Sequence, residues 1–215
     1  AFHIYRPKAI DANGVETWAE LNIDEVQGIL SVKVPQGFLD TAVYPVRVDP
    51  TFGYTTIGAT TGSISAGGQR IYGILYTLSE NGDVTKLTRY DGSNSGTSNF
   101  KAVIYSISGG LPSALQGSAG TGTGLGTTDQ WNDLVFGSPI SLTAADWSIG
   151  WLVDNNNAYR YDTGAVNQQR DTDCTASSCY SSPPATFPTA TSRSRRVSIY
   201  ATYTATNAAN SNFLA

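Results

Sequence analysis

The sequence is poor in the residues on which much enzyme chemistry depends: it has one histidine, two cysteines and no methionine in 215 residues. A Ser or Cys nucleophile needs an imidazole to take its proton, and His3 lies in a predicted terminal strand. Zinc needs several nitrogen or sulfur ligands, and His3 is far along the chain from both cysteines. We therefore predict a non-catalytic protein. Because methionine is absent, we also expect Ala1 to be a processing site or a boundary with an upstream segment.

Charge and long apolar runs are scarce as well. Charged residues make up 14% of the chain, against roughly 25% in ordinary soluble domains. The net charge of −4 argues against nucleic-acid binding, which favours a basic stripe. The one dense basic cluster, Arg193, Arg195 and Arg196, is interpreted as a solvated strand edge that discourages edge pairing, with a phosphate site as the alternative. No run approaches the roughly 18 apolar residues of a membrane span, and no signal peptide opens the chain, so we expect no membrane span.

Phosphate-binding and nucleophile motifs are missing too. The alternate glycines of Gly120–Gly126 lack the third glycine of the dinucleotide fingerprint, and no Gly-Lys-Ser/Thr follows them, so we predict a flexible loop there. No Gly-x-Ser-x-Gly elbow occurs.

What the sequence does contain is the two-residue alternation of β-strands. Residues Val15 to Ile23 alternate apolar and polar side chains, which is typical of a half-buried strand. The Asn13-Gly14 pair before it favours a hairpin turn, with His3 to Ile10 as the partner strand. Further strands are predicted over Ile29 to Val34 and Tyr44 to Val48. Residues 1–50 are therefore predicted to form a small β unit.

Residues 51–204 are predicted to form an all-β sandwich of jelly-roll-like type, because short alternating strands are separated by turn-rich segments. We predict strands over Arg70–Leu78, Val84–Tyr90, Phe100–Ile107, Leu134–Phe136 with Ile140–Leu142, Trp147–Val153 and Arg196–Thr204. Residues Tyr161 to Ser194 are predicted to be one long irregular stretch, which at that length is typically functional or a cover. Residues 205–215 are predicted to be a C-terminal tail.

The two cysteines, Cys174 and Cys179, lie in a polar segment that offers no apolar site for free thiols. We predict a disulfide between them, with a metal pair as the rival interpretation. A disulfide favours an extracellular location.

Carboxylates near the long segment are the remaining candidates for chemistry. The group consists of Asp154, Asp162, Asp171 and Asp173. Two carboxylates at suitable separation suffice for glycoside hydrolysis, and the same oxygens could bind a cation, with calcium as the candidate, although no twelve-residue calcium loop is present. The competing interpretation is that these short side chains satisfy loop backbone through Asx turns.

Aromatic side chains suggest a sugar-binding surface. The stripe Trp147, Ile149, Trp151 and Val153 mixes tryptophan with aliphatic residues on one face, which is typical of a core. Trp131 lies in polar, loop-like surroundings and is the better candidate for an exposed platform. The weak candidate set for glycan binding is Trp131, Tyr90, Tyr159, Tyr161 and Tyr180.

Several segments resemble a β-sandwich module found in large phage structural proteins and in bacterial secreted surface proteins. The matching segments are FGYTTIGATT (52–61), YTLSENGDVTKLTRY (76–90), FKAVIYS (100–106), PISLTAADWSIGWL (139–152), YRYDTGA (159–165) and RRVSIYATYT (195–204). The segment FLDTAVYPVRVDPTF (38–52) resembles the closing strands of a unit that precedes other modules in long secreted proteins. The resemblance implies an architecture, the C-terminal part of a multi-module chain, and no catalytic residue.

Three functions remain open at this point. The leading expectation is a structural or adhesive module of a virion appendage, filament or cell surface, which packs against copies of itself or against neighbouring subunits. The alternatives are a carbohydrate-binding module, carried by the aromatic residues, and a carboxylate-based glycosidase or lyase, carried by the aspartates. No nucleic-acid partner is expected.

Overall fold

A computed structural model of the chain describes residues 7–11, 13, 15–24, 26–44, 46–48, 51–64, 69–92, 99–119, 123–124, 129–155, 157–174 and 179–206. The chain divides into two compact units, Ala1–Pro50 and Thr51–Ala215. Nearly all of the regular structure is β, as predicted.

The N-terminal unit consists of short strands and one helical turn. Its elements are β1 (Lys8–Ile10), β2 (Glu16–Trp18), β3 (Glu20–Asp24), β4 (Ile29–Lys33), α1 (Gln36–Leu39) and β5 (Arg47–Val48). Strands β2, β1 and β5 form one antiparallel sheet, and β3 and β4 form a separate hairpin. Residues 1–6 of the predicted first strand lie outside the described residues.

The predicted strand from Val15 to Ile23 is divided at Ala19. The β1–β2 turn is held by the Asp11 carboxylate, which accepts hydrogen bonds from the backbone N–H groups of Asn13 and Val15. At Ala19 the backbone N–H still donates to the Pro7 carbonyl, but the following residues pair with β4. One alternating run therefore serves two sheets, which periodicity alone does not reveal.

The described residues of the second unit form fourteen strands. They are β6 (Thr51–Gly53), β7 (Thr60–Ile64), β8 (Arg70–Leu78), β9 (Gly82–Asp91), β10 (Asn99–Ser108), β11 (Leu111–Ser118), β12 (Thr123–Gly124), β13 (Gln130–Leu142), β14 (Ala145–Val153), β15 (Asn157–Thr163), β16 (Gln169–Asp173), β17 (Thr191–Arg193), β18 (Arg195–Val197) and β19 (Ile199–Ala205). The two predicted pieces at Leu134–Phe136 and Ile140–Leu142 belong to one strand, β13, whose register shifts between Val135 and Ile140.

These strands form two antiparallel seven-stranded sheets. The front sheet has the order β18-β15-β9-β19-β6, with β13 paired to β9 and β7 paired to β15; the back sheet has the order β11-β10-β14-β8-β16-β17, with β12 paired to β10. One buried cluster draws on both sheets, including Leu87, Leu134 and Ala201 from the front and Ile74, Ile104 and Trp151 from the back. This face-to-face packing is the predicted β-sandwich.

The aromatic stripe of β14 is part of this core, as its alternation with Ile149 and Val153 predicts. Trp147 and Trp151 are both buried. The Trp151 ring stacks on Tyr72 of the neighbouring strand β8, with ring centroids 4.3 Å apart. These two side chains are therefore core residues and are not available as a sugar platform.

The prediction of one irregular stretch from Tyr161 to Ser194 is wrong in part. Strands β16 and β17 lie within it and extend the back sheet beyond β8. Their sequence is polar, yet Gln169 and Asp171 are buried. The Gln169 amide donates to the Tyr159 hydroxyl and to Asp171, and Asp171 also pairs with Arg70 and Arg193.

The rest of that stretch covers the outer face of the back sheet. Cys179 and Phe187 pack with Ile71, Val103 and Tyr105 in a second apolar cluster. Cys174 and Cys179 form the predicted disulfide, with their Cα atoms 6.0 Å apart.

Two predicted segments lie mostly outside the described residues. Of the loop Gly120–Gly126, only Thr123–Gly124 is described, and it pairs with β10. Of the C-terminal tail 205–215, residues 207–215 lie outside the described residues, and β19 itself extends to Ala205.

Candidate functional site

The five aromatic residues proposed as a glycan surface do not form one surface. Tyr159 is buried in the core, 2% exposed, and Tyr161 packs against that core. Tyr180 belongs to the cover of the back sheet, where the Lys101 ammonium lies 4.7 Å from its ring centroid. Only Trp131 and Tyr90 come together, so the predicted set is wrong as a single site.

Trp131 and Tyr90 form an aromatic cluster with a third residue, Tyr200. The Trp131 ring lies 5.2 Å from Tyr90 and 5.3 Å from Tyr200, both in edge-to-face geometry. All three rings are half-buried. We call these three residues the aromatic cluster.

The strand register places the aromatic cluster on the outer face of the front sheet. Trp131 of β13 is directly opposite Tyr90 of β9, and Tyr200 of β19 is opposite Thr88 of β9. The neighbours Leu87, Leu134 and Ala201, one or three positions away, are buried in the core. Since successive side chains of a strand point to opposite faces, the aromatic residues point away from the core.

The Trp131–Tyr200 contact spans the central strand β9. Strands β13 and β19 pair with opposite edges of β9 over residues 82–89. Thr88, which lies on the same outer face between them, is only 3% exposed. The three rings of the aromatic cluster therefore cover this part of β9 on the outer face.

Sequence analysis assigned Trp131 to a loop, whereas the structure places it in strand β13. Tyr200 was missed, although the alternation of Tyr200 and Thr202 with buried Ile199 and Ala201 is the signal that could have identified it.

Two ion pairs flank Trp131, one through Asp129, which directly precedes β13, and one through Asp133 within β13. The Arg160 guanidinium lies 2.9 Å from the Asp129 carboxylate, and the Lys86 ammonium lies 2.9 Å from that of Asp133. The Thr88 hydroxyl donates to Asp133 as well, at 2.7 Å. Asp129 and Asp133 are two positions before and after Trp131, so the aromatic cluster is bordered by fixed hydrogen-bonding groups.

The four aspartates predicted as a cation site do not converge. The Asp154 carboxylate accepts hydrogen bonds from the backbone and side chain of Asn99, and that of Asp162 accepts from Tyr54 and from the Ala59 backbone. Asp171 and Asp173 share Arg70. Among the described residues no three His, Cys, Asp or Glu side chains group as metal ligands. The prediction fails because Asp154 and Asp162 are engaged by separate donors, while Asp171 and Asp173 are held by Arg70.

Asp171 links three strands of the back sheet through its ion pairs. Its buried carboxylate contacts the guanidinium groups of Arg70 in β8 and Arg193 in β17 at 2.9 and 2.8 Å, and the amide of Gln169, in its own strand β16, donates to it at 3.0 Å. These contacts give Asp171 a structural role in the back sheet.

The predicted strand-edge position of Arg193, Arg195 and Arg196 is confirmed, because β17 and β18 are end strands in the order of their sheets, but the three side chains also have partners. Arg193 pairs with Asp171. The Arg195 guanidinium donates to the Tyr159 hydroxyl at 2.7 Å and lies over the Tyr161 ring, while the Arg196 guanidinium lies 4.3 Å from the Tyr54 ring centroid. All three arginines have partners within the sandwich.

A buried ion pair lies within the core itself, and sequence analysis missed it. Arg89 and Asp91 of β9 point inward and form a salt bridge in which both side chains are 1% exposed. The Arg89 guanidinium also lies 4.1 Å from the Phe100 ring centroid and 4.5 Å from that of Trp151. Burial lowers the pKa of Arg89 to about 9. The two opposite charges of this pair compensate each other inside the core.

The hydrogen bond between Tyr54 and Asp162 can be tested through the pKa of Asp162. The Tyr54 hydroxyl donates to its carboxylate at 2.5 Å, and this hydrogen bond, followed by one from the Ala59 backbone, lowers the pKa of Asp162. A lowered folded-state pKa means that this stabilisation is present at neutral pH and is lost as the pH falls through that value. In Tyr54→Phe we expect the pKa of Asp162 to rise, measured by NMR titration of its carboxyl carbon. An unchanged pKa would contradict the Tyr54–Asp162 hydrogen bond, and Asp154 is the internal control.

No protein-family model matches the chain, and no curated protein matches it with significant similarity. No helix within the described residues is long and apolar enough to cross a bilayer.

Proposed function

We propose that the protein is a non-catalytic structural or adhesive module of an extracellular assembly, such as a virion appendage, a filament or a cell surface, in which the N-terminal unit associates with copies of itself. The observation that carries this proposal is the apolar surface of the N-terminal unit. The disulfide of the sandwich supports the extracellular assignment, because disulfides persist in oxidising compartments.

The N-terminal unit has very little core of its own. Among its described residues only Ala9, Asp11 and Ala19 are buried. Units of about 50 residues are marginal in stability, and at still smaller sizes oligomerisation, metals or disulfides are usually needed. Neither cysteine of the chain lies in this unit, and no metal-ligand group occurs among the described residues. Association with further copies would bury its exposed apolar side chains and stabilise it.

Exposed apolar side chains are concentrated in this unit. Ten of the fourteen large apolar residues that are exposed in the described part of the chain belong to it: Val15, Trp18, Ile23, Val26, Ile29, Leu30, Val32, Val43, Tyr44 and Val48. Exposed apolar side chains at this density suit a protein–protein interaction site, for which contiguous apolar patches are typical.

The β3–β4 hairpin shows how a second copy would be accommodated. Leu21 is opposite Val32 and Ile23 is opposite Leu30, so four aliphatic side chains share one face. That face carries no charged residue, whereas the cross-strand pair Glu20 and Lys33 lies on the other. An isolated two-stranded hairpin is marginally stable in water. Packing against the same face of a second copy would bury aliphatic surface without burying a charge, in a self-complementary contact.

The test is the oligomeric state of the full chain. We expect wild-type protein to associate in a concentration-dependent manner in size-exclusion chromatography with light scattering. In Ile23→Lys/Leu30→Lys, like charges would face each other in the contact, and the dissociation constant is expected to rise about 100-fold or more.

The matched control is Asn22→Lys/Ser31→Lys, which adds the same charge to the cross-strand pair on the opposite face of the hairpin. We expect this control to associate as the wild type does. A wild-type chain that stays monomeric at its highest soluble concentration would refute the proposal, and so would equal weakening in both double variants.

A further inference from the structure

We propose that the aromatic cluster Tyr90, Trp131 and Tyr200, with the ion pairs that border it, is a binding site for a neutral oligosaccharide. This site lies in the sandwich unit and does not depend on the association of the N-terminal unit. It differs from the glycan surface predicted from sequence, because it excludes Tyr159, Tyr161 and Tyr180 and includes Tyr200.

The aromatic cluster has no packing role in the core. Its three residues lie on the outer face of the front sheet and contact one another, whereas the core cluster is formed by residues of the opposite face. Aromatic rings combine a large apolar face with low conformational entropy, which suits them to binding surfaces. The apolar C–H face of a pyranose ring is a matching partner for such a surface.

Polar side chains that can hydrogen-bond to a sugar border the aromatic cluster. Sugar hydroxyls need donors and acceptors fixed in place, and the Asp129–Arg160 and Asp133–Lys86 pairs supply both beside Trp131. Their side chains keep between about a fifth and a half of their surface exposed, so solvent-facing hydrogen-bonding capacity remains. The Thr88 hydroxyl bond to Asp133 fixes the carboxylate further.

The charged groups beside the aromatic cluster favour a neutral ligand over an acidic one. Two carboxylates and two cations border Trp131, with Asp129 in contact with Arg160 and Asp133 in contact with Lys86. An acidic sugar would have to compete with Asp129 and Asp133 for Arg160 and Lys86. A neutral sugar can hydrogen-bond to the paired groups without breaking either ion pair.

The test is a titration of the full chain against soluble hexasaccharides. The neutral probes are cellohexaose, maltohexaose and hexa-N-acetylchitohexaose, and the acidic comparator is hexagalacturonate, each followed by isothermal titration calorimetry. We expect at least one neutral probe to bind. Trp131→Ala is expected to raise its dissociation constant about tenfold or more, since the central ring is removed, and Trp131→Phe is expected to have a smaller effect.

Leu111→Ala is the control, because Leu111 is an exposed apolar residue of β11, in the other sheet of the sandwich. Binding by this control should equal wild-type binding, and thermal unfolding of each variant shows whether it is folded. Binding of hexagalacturonate alone would overturn the proposal, as would no binding of any neutral probe or equal loss in Leu111→Ala. Because Ile23→Lys/Leu30→Lys leaves this site intact, its sugar affinity separates failure of this inference from failure of the assembly proposal.

Discussion

Arg89→Met is expected to lower the free energy of unfolding by about 3–5 kcal/mol, because it leaves a buried carboxylate without its cation. Both Arg89 and Asp91 are almost fully buried, so water cannot replace the lost partner. The Asn132 amide still donates to Asp91, but an amide donor does not compensate a full charge. Urea unfolding followed by tryptophan fluorescence measures the difference.

The pH dependence of Arg89→Met separates loss of charge compensation from loss of packing. An unpaired buried carboxyl group has a raised pKa, because burial disfavours its charged form. Stability from such a group is present at low pH and is lost as the pH rises through the folded-state value. The deficit of the variant relative to the wild type should therefore shrink as the medium becomes more acidic.

Arg89→Met/Asp91→Asn is the companion variant. It removes both charges and keeps an amide at position 91, so it should recover part of the stability lost in the single variant and lose the pH-dependent component. A single variant as stable as the wild type would contradict the buried pair. A deficit that does not vary with pH would assign the effect to packing alone.

The core of the sandwich could be predicted from sequence because its pattern is local. Trp147, Ile149, Trp151 and Val153 alternate with smaller or polar residues in one strand, and all four are buried together. The disulfide was predictable for a similar reason, since its two cysteines are close in the chain. Each of these predictions depended only on residues that lie close together in the sequence.

The features that sequence analysis missed depend on partners distant in the chain. Strand β16 has a loop-like composition, and it is a strand because its backbone pairs with β8, about 100 residues earlier. Arg89 looks like an exposed residue in a run of alternating polar and apolar positions. A register irregularity in β9, where Val84 and Leu87 are both buried, changes which residues point inward and places Arg89 in the core.

The candidate site was partly predictable for the same physical reason. Trp131 and Tyr90 were identified one by one as surface aromatics, but nothing in their local sequence indicates that they are cross-strand partners. Their contact with Tyr200 requires that β13 and β19 pair with opposite edges of β9. Register, rather than residue type, assembles the aromatic cluster.

Trp151→Ala is expected to lower the free energy of unfolding by about 3–5 kcal/mol, as is typical when a large buried aromatic side chain is truncated. Trp151 is fully buried, stacks on Tyr72 and contacts Tyr159 edge to face. The Trp151 ring, like that of Phe100, lies over the buried Arg89 guanidinium. The substitution would remove this contact as well. Equilibrium urea unfolding again provides the measurement.

Trp131→Ala is the matched comparison, because it makes the same substitution on the outer face of the other sheet. Its cost should be smaller, about 1–2 kcal/mol, because Trp131 is only half-buried and loses two edge-to-face ring contacts of roughly 0.5–1.5 kcal/mol each. The two tryptophans thus have opposite expected profiles: Trp151 contributes to stability, whereas Trp131 contributes to sugar binding with a small effect on stability. If Trp131→Ala were as destabilising as Trp151→Ala, the aromatic cluster would be a second core, and the oligosaccharide site would lose its main structural argument.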